Sequence, residues 1–177
     1  MREEVTPRRL DLLMDELARV APRPGSYRVY LVGGGTAVYV GWRASSIDVD
    51  LHSEDDVVFR DIQAIKERLK MNIEFVRPED FVPSLEGSMS RHVLIKTIGP
   101  VSFYHYDPYS QCFAKVVRGF QRDIEDAHAF IVREMVNREE LRSLVAAIPD
   151  SAYAKYPNLS RAGVENAIED FLASMRS

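Results

Sequence analysis

The sequence predicts an α+β domain: a small mixed β-sheet flanked by helices, followed by a helical C-terminal part. Three observations predict it. The chain opens on a helical hydrophobic period, its middle alternates short β-rich runs with amphipathic stretches, and everything after Asp107-Pro108 keeps helical spacing. The length of 177 residues suits one domain, at roughly 100–200 residues each. Hydrophobic residues make up 46% and charged residues 28%, enough apolar material for a core that needs no disulfide or metal staple.

Thr6-Pro7 forms an N-cap with proline in the first helical turn. Leu10, Leu13, Met14, Leu17 and Val20 then recur at three- and four-residue spacing, until Pro22, Pro24 and Gly25 stop the helix. Tyr27–Val32 is rich in β-branched and aromatic residues and reads as a buried strand. Gly33-Gly34-Gly35 follows at once, then a short helix from Thr36 to about Val40, closed by Gly41. Ile47–Leu51 alternates as a second strand, with Ile47, Val49 and Leu51 turned to the core. Glu54, Asp55 and Asp56 mark a turn into an amphipathic helix over Val57–Leu69, whose inward stripe is Phe59, Ile62, Ile65 and Leu69. Asn72–Val76 is a third strand, with Ile73 and Phe75 sharing one face. Pro78–Leu85 is a loop or short helix. His92–Ile98 and Val101–Tyr106, separated by Gly99-Pro100, form a hairpin. Helices follow near 108–118, 121–136, 138–147 and 160–174, broken at Gly119, Asn137 and Pro149–Pro157.

Composition excludes several function classes. The net charge of −4 argues against a globally basic nucleic-acid binder while leaving room for a local basic groove. Cys112 is the single cysteine, which excludes an intrachain disulfide and a cysteine-rich zinc site. No apolar run approaches the ~20 residues of a membrane span, and the start, MREEVTPRRL, lacks a signal-peptide core. A cytoplasmic protein is the expectation. His52, His92, His105 and His128 show no metal-ligand spacing and read as core or surface residues.

Chemistry concentrates in residues 31–51, LVGGGTAVYVGWRASSIDVDL. The glycines let backbone approach a bound group closely, and the helix behind them points N–H groups at it. Thr36 adds a hydroxyl. This would suit a phosphate, although neither a Walker A loop nor a dinucleotide fingerprint is present. The plain alternative is a tight strand-to-helix turn. Asp48 and Asp50, at i and i+2 on a strand, project to one side, with their Cα atoms roughly 6.5–7 Å apart. Paired carboxylates repel unless a cation neutralises them, and Mg²⁺ suits a few carboxylates plus substrate phosphates. A solvated acidic face on an edge strand is the other reading. Glu74 has matching phase, so a third carboxylate converges on the same site if its strand lies beside that of the aspartates. Glu79 and Asp80, just past Pro78, compete for that place.

Gly34, Gly35, Ala37, Gly41, Arg43, Ser46, Asp48, Val49, Asp50 and Leu51 together resemble the signature of the DNA polymerase β-type nucleotidyltransferase superfamily. The likeness is to its minimal prokaryotic branch related to AbiEii-type toxins. A second block, residues 109–127, is similar to that branch's helix pair at Ala114, Lys115, Arg118, Arg122, Asp123 and Asp126. The likeness covers roughly residues 25–135, and the third glycine lets the phosphate turn align in two registers one residue apart.

The resemblance implies a fold of the nucleotidyltransferase type: residues 1–106 would be the α/β core and residues 107–177 a helical region packed on the same domain. It implies a metal-dependent enzyme moving an NMP from an NTP to an acceptor hydroxyl, with ATP among the candidate donors and release of pyrophosphate. Asp48, Asp50 and Glu74 would be the catalytic residues and the ligands of Mg²⁺ or Mn²⁺, with Glu74 at or beside the base. Gly33, Gly34, Gly35 and Thr36 would hold phosphates, and Lys115 would neutralise the triphosphate. Arg43 would touch phosphate or pin its loop. The acceptor would be an RNA end or a protein, in a toxin–antitoxin or defence setting with a cognate toxin or antitoxin partner. Arg122, Asp123 and Asp126 read better as a salt-bridge network between helices. The rival function is a catalytically degenerate nucleotide- or partner-binding module such as an antitoxin. A metal-dependent phosphohydrolase would leave the glycine turn unexplained.

Overall fold

The computed structural model describes residues 2–175. It has an α+β architecture around one mixed five-stranded sheet, and the chain divides into two compact units. The first comprises the chain up to Arg77 together with Val93–Tyr106. The second comprises Pro78–His92 and the chain from Asp107 onward.

In the first unit, α1 (Pro7–Val20) begins where the Thr6 hydroxyl accepts the Arg9 N–H, and buries Leu10, Leu13, Met14 and Leu17. Strand β1 (Tyr27–Val32) leads through Gly33 into α2 (Gly34–Val40). Strand β2 (Asp48–His52) follows, then a 3₁₀ turn (Asp56–Phe59), α3 (Ile62–Leu69) and β3 (Asn72–Phe75). The hairpin is β4 (Val93–Ile98) and β5 (Val101–His105). The sheet order is β3-β2-β1-β5-β4. β2 is antiparallel to β1 and parallel to β3, while β5 is parallel to β1 and antiparallel to β4. One sheet face, carrying Val29, Leu31, Val49, Leu51, Ile73 and Phe103, joins Leu10, Leu17, Val38 and Ile65 in a single buried core.

Three expectations change here. Pairing in β2 starts at Asp48, because the residue at Ser46 is held by Val5 in an isolated bridge, and Ile47 outside the pleat is 67% exposed. The helix expected over Val57–Leu69 is interrupted at Arg60-Asp61. Asp55 accepts the Val57 N–H to start the 3₁₀ turn, and the β-branched pair Val57-Val58 does not favour continuing as α-helix. Phe75 keeps the phase of Ile73 yet lies at the strand end, 52% exposed, with its ring 4.7 Å from that of Phe59.

The second unit contains α4 (Pro108–Arg118), α5 (Gln121–Val132), α6 (Arg138–Ala146) and α7 (Arg161–Ser174), with short 3₁₀ turns at Pro78–Asp80, Ser88–Ser90 and Asp150–Lys155. Its buried residues include Phe113, Phe130, Leu141, Ile168 and Leu172. Asp107, fully buried, accepts from the Tyr109 and Ser110 N–H groups and takes a two-point ion pair from Arg91 (3.1 and 2.9 Å). Among the described residues no helix is long and apolar enough to cross a membrane.

Candidate functional site

The sheet face opposite the apolar core carries the acidic residues. In β2, Val49 and Leu51 are fully buried, so the pleat turns Asp48, Asp50 and His52 the other way. Strand β3 lies beside β2 with Asp48 opposite Asn72 and Asp50 opposite Glu74. On the other side Asp50 faces Val32 and His52 faces Tyr30. Asp50 and Glu74 are thus adjacent side chains on one face. Glu79 and Asp80 lie off the strand, in the 3₁₀ turn that opens the second unit's first segment. The Asp48 carboxylate accepts a hydrogen bond from the Asn72 side-chain amide. The sequence reading missed Asn72, although its i, i+2 spacing from Glu74 was the available signal.

The glycine turn has a definite local cause. Gly33 sits at φ 58°, ψ −122°, a conformation that only glycine adopts without strain. Gly34 is packed by the loop that feeds β2: a Cβ there would lie 2.7 Å from the Ser46 Oγ and 3.3 Å from the Arg43 Nη1. Gly41, at φ 112°, closes α2, and the Ala37 carbonyl accepts from the N–H groups of Gly41, Trp42 and Arg43. The spacing Gly34…Gly41…Arg43…Ser46…Asp48 is therefore one folded unit: turn, helix, left-handed cap, and a loop that returns over the turn before entering the aspartate strand. Gly35 has only ordinary contacts, with Leu31 and Val49.

Two of the residues expected to contact nucleotide have partners within the protein. Thr36 is fully buried, with its Oγ1 3.2 Å from the Leu31 carbonyl and 3.0 Å from His105 Nδ1. These bonds tie the first turn of α2 to β1 and β5. Lys115 lies in the second unit, its side chain 13% exposed. Its ammonium is 2.9 Å from Asp126 and 3.5 Å from Asp123, and Arg118 adds a 3.7 Å pair to Asp123. The two cations and two buried carboxylates make the structural network expected for Asp123 and Asp126. Arg122 is exposed outside it.

Aromatic residues continue the carboxylate face. Tyr30 is stacked with His52 (5.9 Å, 25°), and Tyr104 and Tyr106 lie 5.6 and 5.5 Å from the Tyr30 ring. Burial, then the Glu54 carboxylate accepting its O–H at 2.8 Å, pushes the Tyr30 pKa up to about 12. The phenol keeps its proton and acts here as a donor. Among the described residues, no group of three or more His, Cys, Asp or Glu side chains is placed to hold a metal ion.

No curated protein and no solved structure matches the chain. A family model does, over residues 8–176, and its description is a nucleotidyltransferase of unknown function. The match spans nearly the whole chain; the protein belongs to this nucleotidyltransferase family, DUF6036.

Proposed function

We propose that the chain transfers a nucleotidyl group from an NTP to the hydroxyl of an RNA end or a protein, with the chemistry on the Asp48–Asp50–Glu74 face. The observation that carries this reading is the register that sets Asp50 beside Glu74, on the strand fed directly by the Gly33–Ser46 turn and loop. The donor set fits a hard ion that takes one or two carboxylates and completes its shell with substrate phosphates, in contrast to an all-protein cage. Asp48 and Asp50 would hold Mg²⁺ or Mn²⁺, with Glu74 alongside. The ion would supply charge stabilisation for the attacking and leaving oxygens of an in-line displacement.

The chain's own residues divide the remaining work. The Gly33–Gly35 backbone and the Arg43 guanidinium, which lies against Gly34, bind and orient the phosphates. Glu74 accepts the proton of the acceptor hydroxyl. Thr36 positions the turn from beneath. Asn72 orients Asp48 through its amide. A toxin–antitoxin or defence role, with a cognate partner, belongs to the same reading.

The tie between Asp48 and Asn72, with no group of three ligating side chains among the described residues, favours a second reading: a nucleotide-binding module without turnover, such as an antitoxin. One experiment separates the two. Each NTP, labelled at the α- or the γ-phosphate, is incubated with protein, Mg²⁺ and either total RNA or total cell protein. Transfer of α-label alone supports nucleotidyl transfer and names the acceptor class. Nucleotide binding with no transfer supports the module, and γ-label transfer contradicts both.

A further inference from the structure

The first unit carries a concave feature at the C-terminal ends of β2 and β3. A pocket of about 370 Å³ is lined by His52, Ser53, Asp56, Phe59, Ile62 and Phe75. Its origin is local. The two parallel strands end side by side, with Leu51 opposite Phe75. The chain then leaves β2 through the 3₁₀ turn and enters α3 after the break at Arg60-Asp61, which leaves the end of the apolar face short of cover. Phe75 therefore stands 52% exposed against Phe59, the two rings tilted at 39°. A large exposed aromatic lining a pocket is informative in a way that a scattered one is not.

The lining selects a ligand chemistry. The volume is at the small end of the roughly 300–1,000 Å³ of ligand sites and suits one planar ring system. Phe75 and Phe59 offer faces and edges on which a flat heterocycle stacks. His52 is oriented by Tyr30 and meets Tyr106 edge-on at 77°. The Ser53 hydroxyl donates to the Arg28 carbonyl at 2.6 Å and so holds the turn. Asp56 contributes a carboxylate, which accepts from amine N–H groups and repels phosphate. His52 lies two residues beyond Asp50 on the same strand, so the pocket adjoins the carboxylate row.

We propose that this pocket binds an amine-bearing nucleobase (adenine, cytosine or guanine) stacked on Phe75 with its exocyclic amine toward Asp56. Choosing a nucleobase among planar nitrogen heterocycles rests on the nucleotidyl-transfer reading. Uracil is disfavoured because its imide N–H is flanked by two carbonyls that would face the carboxylate. The base belongs either to the donor NTP or to an acceptor nucleotide.

The test is titration of the full chain with phosphate-free adenosine, cytidine, guanosine and uridine, followed by ligand-observed NMR. The expected result is binding of the three amine-bearing nucleosides, with uridine at least about fivefold weaker. Phe75→Ala should weaken adenosine about tenfold, and Phe75→Tyr should keep it. Asp56→Asn should bring uridine within about twofold of adenosine. Half-exposed Phe75 and exposed Asp56 make these variants compatible with folding. Uridine binding as tightly as adenosine, unchanged affinity in Phe75→Ala, or no nucleoside binding would overturn the proposal. Displacement of bound adenosine by a non-hydrolysable NTP identifies the donor base; displacement by a short RNA alone identifies the acceptor. Asp48→Asn with Asp50→Asn should still bind nucleosides. Binding without any transfer by the wild-type chain therefore leaves the pocket standing and removes the catalytic reading, while transfer without nucleoside binding removes only the pocket.

Discussion

Acid should destabilise the first unit through His105. This side chain lies on the helix-covered side of β5, 6% exposed, with Nδ1 3.0 Å from the Thr36 hydroxyl and its ring 6.0 Å from that of Tyr39. Burial pulls its pKa from 6.5 down to about 4. Between those values the unfolded chain binds a proton that the native chain refuses. Stability is therefore complete above pH 6.5 and is lost progressively as the pH falls toward 4. Over that whole range the loss amounts to about 3 kcal/mol, and at pH 5 to about 2 kcal/mol. Urea unfolding at pH 7.5 and pH 5.0 measures it, with Trp42, the single tryptophan, reporting from the same unit. With a urea slope of about 2 kcal/mol/M, the midpoint should fall by about 1 M on acidification. In His105→Gln, which carries no titrating group there, that portion of the fall should vanish. If His105→Gln loses as much stability on acidification as the wild type, the imidazole is not excluded from its proton and the reasoning fails.

Two further substitutions probe the supports of the site and of the second unit. Gly33→Ala forces a Cβ into φ 58°, ψ −122° at the glycine turn; it should cost about 1–3 kcal/mol, and an unchanged melting temperature would show that the turn relaxes without strain. Asp107→Ala removes two N-cap bonds of α4 and leaves the Arg91 guanidinium without its buried partner. It should cost about 3–5 kcal/mol in thermal unfolding, and a loss under about 1 kcal/mol would mean that Arg91 finds another acceptor.

Local patterning carried much of the fold into the sequence. Tyr27–Val32 and the α1 stripe stand as read, because both fill positions whose spacing is set by backbone geometry alone. The α+β class followed from element order. Sequence spacing did not reveal where pairing begins: Ile47 alternates perfectly with Val49, and only the bridge from Val5 to Ser46 places it outside the sheet. The helix break at Arg60-Asp61 was hidden because Phe59 and Ile62 keep helical phase across it. At the site, the alternation of β2 predicted the common face of Asp48 and Asp50, and the phase of Glu74 anticipated its place next to Asp50 once β3 paired with β2. Thr36 and Lys115 were less legible. Whether a hydroxyl or an ammonium is already partnered depends on residues remote in sequence, His105 for one and Asp126 for the other. The pocket walled by Phe75 depends on a helix break that no periodicity announces.

The measurement that bears most directly on the central claim is α-phosphate transfer by the wild-type chain and by Asp50→Asn, in the presence of Mg²⁺ and the acceptor fraction that accepts label. The side-by-side placement of Asp50 and Glu74 predicts a loss of at least about 10³-fold in rate for Asp50→Asn, equivalent to roughly 4 kcal/mol of transition-state stabilisation. Nucleoside binding and the melting temperature should stay near those of the wild type. Transfer by Asp50→Asn at a rate within tenfold of the wild type would contradict the account and move the reaction away from this face of the sheet.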